Sequence, residues 1–308
     1  MRSLGEKLGH IIIPLATPFK EGSQDVDYDA AARLADHVVA AGKCDSVIVG
    51  GTSGEFNALN MDERLELFRV VKSAVAGRVP MVVGACSDST REVVRLAQEG
   101  EKLGFDAVMA LGPCYCKPTQ EGGYLHFAAV ARATALPVML YNIPIFTGFN
   151  LEKETLGRLV NSFRNIVAIK DEAGINPTQM SDFRHVTPED FTIYNGDDIM
   201  VLCGLAQGAA GVVSGGSIII GRPMRTMIDA FLAGDVAGAR RIHMDLDPLF
   251  KAFGSNGRIN PIPLWKAAIS LCGLQVGPPR LPLAPATEQE IGIMRTHLER
   301  LGMLGGRP

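Results

Sequence analysis

The chain of 308 residues predicts an α/β fold, a (β/α)8 TIM barrel with a C-terminal helical appendage, on three observations. Short apolar runs recur along it, longer amphipathic segments separate them, and no Gly-Pro-Ser linker divides it into halves. The runs are residues 11–17 (IIIPLAT), 46–51 (SVIVGG), 80–85 (PMVVGA), 106–112 (DAVMALG), 137–142 (PVMLYN), 165–170 (NIVAIK), 191–196 (FTIYNG) and 210–216 (AGVVSGG). Each is apolar nearly throughout, as strands buried on both faces are. Eight such strands close on themselves without leaving an edge, which favours a barrel over a six-stranded doubly wound sheet.

Between the runs, Leu65, Phe68, Val71, Lys72 and Val75 recur at helical spacing within Met61 to Val75, and the helix expected from Thr90 to Leu103 opens on a Ser/Thr cap candidate. Three further helices are expected near residues 235–253, 260–272 and 287–302. The proline cluster Pro278, Pro279, Pro282 and Pro285 lies too near the end of the chain to introduce a second large domain. The expected division is a barrel over 1–234 and helices packed on it over 235–308.

Composition narrows the function classes. The chain is 47% hydrophobic and 20% charged, enough apolar material for a large core. Its 30 basic and 33 acidic side chains leave a formal charge of -3, which predicts neither a nucleic-acid groove nor a membrane surface as partner and points to a small molecule. Six scattered cysteines and no leader-like segment suit reduced thiols in the cytoplasm, the expected location. Cys114 and Cys116 are one residue apart, and no second close pair completes a zinc site. No run approaches the roughly 18 to 20 apolar residues that a membrane span needs.

In barrels of this kind the chemistry sits at the C-terminal ends of the strands. Lys170 closes the sixth run, and a lysine is rarely buried without a purpose or a partner. One reading has it reach solvent or pair with Asp171 or Glu172. The other has its amine, held among apolar groups, keep a free lone pair and add to a carbonyl. The iminium so formed draws electrons from the adjacent carbon, so a carbon-carbon bond can break to a neutral enamine with neither metal nor other cofactor. The loop Gly50-Gly51-Thr52-Ser53-Gly54-Glu55 follows the second run; its N–H groups and two hydroxyls suit a carboxylate, or it is a Gly-rich turn satisfying its own backbone. It lacks the Lys-Ser/Thr ending of a phosphate loop. Tyr141, within Tyr141-Asn142-Ile143-Pro144, is either a core residue or a proton relay.

Together these three motifs, in this order and at these separations, resemble the dihydrodipicolinate synthase/N-acetylneuraminate lyase family. The likeness runs from residues 14–19 (PLATPF) through Gly196-Asp197-Asp198 to residues 260–263 (NPIP), nearly the whole chain. It implies a barrel that assembles as a homotetramer and takes a 2-oxo acid and an aldehyde, with Lys170 forming the imine and Tyr141 transferring protons. By the same resemblance, Thr52 and Ser53, beside Gly51, bind the oxo-acid carboxylate. Thr52 links Tyr141 to a second tyrosine matched by Tyr115, which in the synthases comes from a neighbouring subunit. Gly196 and Val213 match positions that line the pocket with backbone carbonyls. Two departures stand out. The synthases place an arginine shortly after the Tyr-Asn-x-Pro motif to hold the carboxylate of the aldehyde, where this chain has Phe146. Many also carry adjacent tyrosines where it has Cys114-Tyr115-Cys116. The resemblance therefore predicts a Schiff-base lyase or aldolase for a 2-keto-3-deoxy acid, ahead of a related dehydratase and of the synthase reaction itself.

Two other classes remain open at this stage. A metal-dependent aldolase would draw on Asp171, Glu172, Asp197, Asp198 and a histidine, but His10, His37, His126, His185, His243 and His297 show no paired ligand spacing, and no metal is expected. A non-catalytic 2-oxo-acid sensor could share the fold, since function resides in the site.

Overall fold

A computed structural model describes residues 3–172, 176 and 178–304. Its eight strands, β1 (Ile11–Pro14), β2 (Ser46–Val49), β3 (Met81–Ala85), β4 (Ala107–Leu111), β5 (Val138–Asn142), β6 (Ile166–Asp171), β7 (Thr192–Asn195) and β8 (Gly211–Val213), pair in parallel and in chain order, with β8 returning to β1. Every run expected to be a strand is one. Several strands stop short of the expected run because its last residues leave the ladder and form the C-terminal mouth of the barrel.

The helices are α1 (Leu4–Leu8), α2 (Tyr28–Ala40), α3 (Met61–Val75), α4 (Thr90–Lys102), α5 (Gln120–Ala133), α6 (Pro144–Thr147), α7 (Lys153–Ser162), α8 (Thr178–Val186), α9 (Val201–Ala206), α10 (Ser217–Leu232), α11 (Val236–Ala252), α12 (Ile262–Leu271) and α13 (Glu288–Arg300). Helix α3 has the bounds its spacing predicts, and α11 to α13 are the three expected late helices. Helix α4 starts without the expected hydroxyl cap. Ser89 holds the cap position but makes no capping bond, and the Thr90 hydroxyl instead meets His126 Nδ1 at 2.8 Å. Among the described residues no helix is long and apolar enough to cross a membrane.

Alternation along each strand divides the core into two layers. In β1, Ile11 and Ile13 face the surrounding helices, while Ile12 joins Ile48, Val82, Met109 and Met139 inside the barrel. Helix α1 places buried Leu4 and Leu8 in that inner cluster. The register between β5 and β6 shifts after Val138↔Ile166 to Met139↔Ala168, so β6 carries one extra residue, Val167. Beyond the shift Lys170 stands between Tyr141 on one side and Tyr194 on the other.

Helix α13 is anchored by charge. Glu290 closes a capping box with Thr287, and its carboxylate takes Arg258 Nε at 2.6 Å and Nη2 at 3.0 Å, with the Glu290 side chain 1% exposed. The Arg258 bonds hold the Glu290 carboxyl down, to about 2. A carboxyl depressed in the fold contributes stability above its unfolded pKa and loses it as pH falls through the folded value, so this contribution, ~3 kcal/mol, fades from about pH 5 toward pH 2. Urea unfolding measured across that window should show the loss in the wild type and a flatter dependence in Arg258→Met. Equal slopes for the two proteins would remove the pair as the cause.

Candidate active site

Lys170 is the fifth residue of β6, on the same face as inward Ala168, and only 5% of it is exposed. Its ammonium nitrogen lies 4.0 Å from the centre of the Tyr141 ring and 3.1 Å from Glu172 Oε2. Of the two carboxylates that the sequence offers it, Glu172 is the partner. Asp171 faces the other way and accepts Asn142 Nδ2 and Gln179 Nε2, each at 2.9 Å. The asparagine of the Tyr141-Asn142 motif thus ties β5 to β6, and its oxygen holds Leu151 N at 2.9 Å.

The Tyr141 hydroxyl donates to Glu172 Oε2 at 3.1 Å and meets Thr52 Oγ1 at 3.3 Å. A phenol has one proton, so spending it on Glu172 makes Thr52 the donor to the phenol oxygen. Burial, and next the charge of Glu172, raise the Tyr141 phenol well above its usual value, which keeps it protonated. Burial also raises the Glu172 carboxyl, against the opposing pull of Lys170. Amine, phenol, carboxylate and hydroxyl therefore form one connected chain, Lys170 to Glu172 to Tyr141 to Thr52. Such a chain can move a proton to or from a carbonyl attacked by the amine.

The Gly-rich loop is held from three sides. Gly50 takes φ +83°, and Gly84 opposite is bare because a Cβ there would stand 2.6 Å from the Gly50 carbonyl oxygen. Thr17 Oγ1 donates to Gly54 O at 2.6 Å. Glu55, at φ +53°, reaches away from the barrel mouth: Oε1 lies 2.6 Å from Lys266 Nζ of α12 and Oε2 accepts Arg280 N at 2.9 Å. Lys266 sits over the Phe19 ring at 4.2 Å, and burial lowers its pKa to about 8. The ends of the chain resemblance, PLATPF and the late helices, therefore meet at this loop and set where Thr52 and the buried Ser53 stand.

Two cavities open beside the chain of polar groups. One, of about 280 Å³, is lined by Glu172, Gly196, Asp197, Asp198, Phe146 and Arg258 among others. The second, of about 490 Å³, is lined by Thr52, Tyr115, Arg64, Cys114 and again Phe146. Phe146, in the short α6, thus stands between them, 37% exposed. A Cβ on Gly196 would meet Lys170 Cε at 2.8 Å, so glycine there leaves space for the lysine stem. Val213 ends β8 inside the barrel, and Gly51 packs near Met109. Tyr115 is 91% exposed at φ +66°, and in the single chain its hydroxyl bonds to neither Tyr141 nor Thr52.

The first cavity is acidic. Burial raises Asp197 and carries Asp198 to about 7. Arg258, the cation at its rim, is already engaged with Glu290 and with the carbonyls of Ala284 and Pro285. Among the described residues no three His, Cys, Asp or Glu side chains converge as a metal site. Sequence reasoning did not single out the placement of Glu172, the Glu55–Lys266 pair or the acidity of this cavity. A signal for the pair was available, since Lys266 is the one charged residue of α12.

Comparison with known proteins identifies the family. Residues 7–301 match the profile of the dihydrodipicolinate synthetase family. A 4-hydroxy-tetrahydrodipicolinate synthase of Desulforudis audaxviator is 44% identical over 296 residues, covering 96% of this chain and 98% of its own. The enzyme of the same name from Thermosynechococcus vestitus is 45% identical over 297 residues, covering 96% and 98%. Among solved structures, a dihydrodipicolinate synthase of Cyanidioschyzon merolae with lysine bound superposes with a TM-score of 0.91 at 43% identity, covering 96% of this chain and 99% of that one. YagE, an E. coli K12 prophage protein solved with pyruvate, gives 0.89 at 28% identity, covering 96% and 98%. The chain belongs to the dihydrodipicolinate synthetase family, and it is a lyase of the class I aldolase type.

Proposed function

We propose that Lys170 adds to the keto carbon of pyruvate or another short 2-oxo acid, and that the imine exchanges an aldehyde with no carboxylate at the end facing Phe146. The observation that carries the first half is the buried Lys170 amine joined through Glu172 to Tyr141 and Thr52. In this reading the Gly51 backbone and the Thr52 and Ser53 hydroxyls hold the oxo-acid carboxylate. The carbonyls of Gly196 and Val213 line the pocket. The iminium serves as electron sink for making or breaking the bond at the adjacent carbon, and Tyr141 relays the proton. Tyr115 would complete the relay from a neighbouring subunit of a homotetramer in the cytoplasm.

The second half rests on electrostatics. Phe146 cannot make the bidentate pair that arginine offers a carboxylate. The adjoining cavity is lined by Glu172, Asp197 and Asp198, which offer a second carboxylate no cationic partner, and its arginine is engaged elsewhere. A 2-keto-3-deoxy sugar acid, cleaved to pyruvate and a hydroxyaldehyde, suits such a lining. The names of the relatives favour a second reading, the synthase reaction with aspartate semialdehyde.

An aldehyde screen with pyruvate separates the two. Neutral hydroxyaldehydes should give the higher kcat/KM, and Phe146→Arg should shift the preference toward aspartate semialdehyde by about tenfold or more, the worth of one charge-assisted pair. Aspartate semialdehyde as the best substrate of the wild type would overturn the aldehyde assignment while leaving the imine in place.

A further inference from the structure

Imine formation at a lysine requires two proton movements. The amine must shed the proton of its ammonium form before it attacks, and the carbonyl oxygen must later gain protons to leave as water. In this site one side chain touches the groups at both stages. Glu172 Oε2 lies 3.1 Å from Lys170 Nζ and accepts the Tyr141 hydroxyl at 3.1 Å. Glu172 is the first residue past β6, and its own N–H is tied to Asn142 O at 2.8 Å, so the carboxylate stands over the strand end and lines the cavity beside Gly196. Gly196 permits this placement, since a Cβ there would come within 2.7 Å of Glu172 Cβ.

We propose that Glu172 is a catalytic residue of this lyase, taking the ammonium proton of Lys170 and returning it to the departing water. The proposal rests on the Lys170 imine reading. At the outset Lys170 is an ammonium and Glu172 a carboxylate. A proton passes from Nζ to Oε2, and the free lone pair forms the N–C bond while the carbonyl π electrons move to oxygen. A proton then passes from nitrogen to that oxygen by way of Tyr141, leaving a neutral carbinolamine beside a protonated Glu172. The nitrogen lone pair expels the hydroxyl, which takes the Glu172 proton and leaves as water. The products are a protonated imine and a carboxylate, with the starting charges and protons accounted for.

Other nearby groups fit the task less well. Asp171 is committed to Asn142 and Gln179, and the exposed Tyr115 reaches neither Lys170 nor Tyr141 in this chain. Asp197 and Asp198 share the cavity but do not bond to the amine, and Asp198 Oδ2 holds Gly216 N at 2.9 Å. Burial of the site, helped by the charge of Asp197, favours the protonated form of Glu172, while Lys170 opposes it.

The test is the rate of pyruvate adduct formation, quenched with borohydride over a range of pH, in the wild type, Glu172→Gln, Glu172→Asp and Glu172→Ala. Glu172→Gln should slow the adduct by on the order of 10²-fold and lose the acid limb of the pH profile, its rate rising with pH as solvent removes the proton instead. Glu172→Asp should keep the limb and recover part of the rate. A Glu172→Gln rate close to wild type overturns the proposal, and so does a slow variant with an unchanged pH profile, which marks a merely positioning contact. Should Glu172→Gln unfold, the Ala variant decides: a rate close to wild type with an unchanged pH profile overturns it. Failure of the wild type to trap any adduct strikes the imine reading instead, so the two failures are distinguishable.

Discussion

Lys170→Ala is expected to lower kcat/KM for any 2-oxo-acid substrate by on the order of 10⁴-fold or more, with the protein still folded. Lys170 carries the amine that sits over the Tyr141 ring beside the Tyr141–Thr52 chain, and a neighbouring thiol, hydroxyl or carboxyl cannot form an imine in its place. The fold should tolerate the loss because the partner left behind, Glu172, is 24% exposed and can take up a proton. Lys170→Arg gives the sharper comparison. It keeps a cation beside Glu172 yet has no amine to deprotonate, so it should be as inactive as alanine. Steady-state kinetics with circular dichroism reads both variants. Activity within tenfold of wild type in either one would detach the chemistry from Lys170.

The second large effect is on stability. Glu55 and Lys266 are each 1% exposed and 2.6 Å apart, joining the Gly-rich loop to α12. Removing one partner of a buried pair leaves the other to lose its charge or stay unpaired, at a cost of about 3–5 kcal/mol. Lys266→Met and Glu55→Gln should each unfold at markedly lower urea, and each should raise KM for the oxo acid, since the loop carrying Thr52 and Ser53 loses its anchor. The double variant should regain much of the lost stability, because neither charge then remains to be buried. Singles that cost under about 1 kcal/mol would show that Arg280 and Thr17 hold the loop without the pair.

The barrel was legible because its strands are buried on both faces, which makes each a continuous apolar run regardless of its neighbours. The same property explains the overextended ends: residues such as Leu15, Gly50 and Gly215 are as apolar or as small as the strands they follow, and only the ladder distinguishes them. Helix α1 escaped notice because five residues are too few to display a helical period. In the site, Lys170, Tyr141 and Thr52 were legible from their positions after apolar runs, and the structure joins them through hydrogen bonds and a ring contact. Glu172 was visible only as one of two adjacent carboxylates. Which of them turns inward depends on the pleat of β6 after the extra residue at Val167, and that follows from pairing with β5. The Glu55–Lys266 pair is a contact between the second strand's loop and a late helix, and spacing along the chain carries no trace of it.

The most direct test of the central claim is mass spectrometry of the protein after borohydride reduction in the presence of pyruvate. A reduced pyruvate adduct on the peptide containing Lys170, absent from Lys170→Ala, is the predicted result. A protein that remains unmodified with pyruvate and with longer 2-oxo acids, or one that carries the adduct on another lysine, would contradict the account.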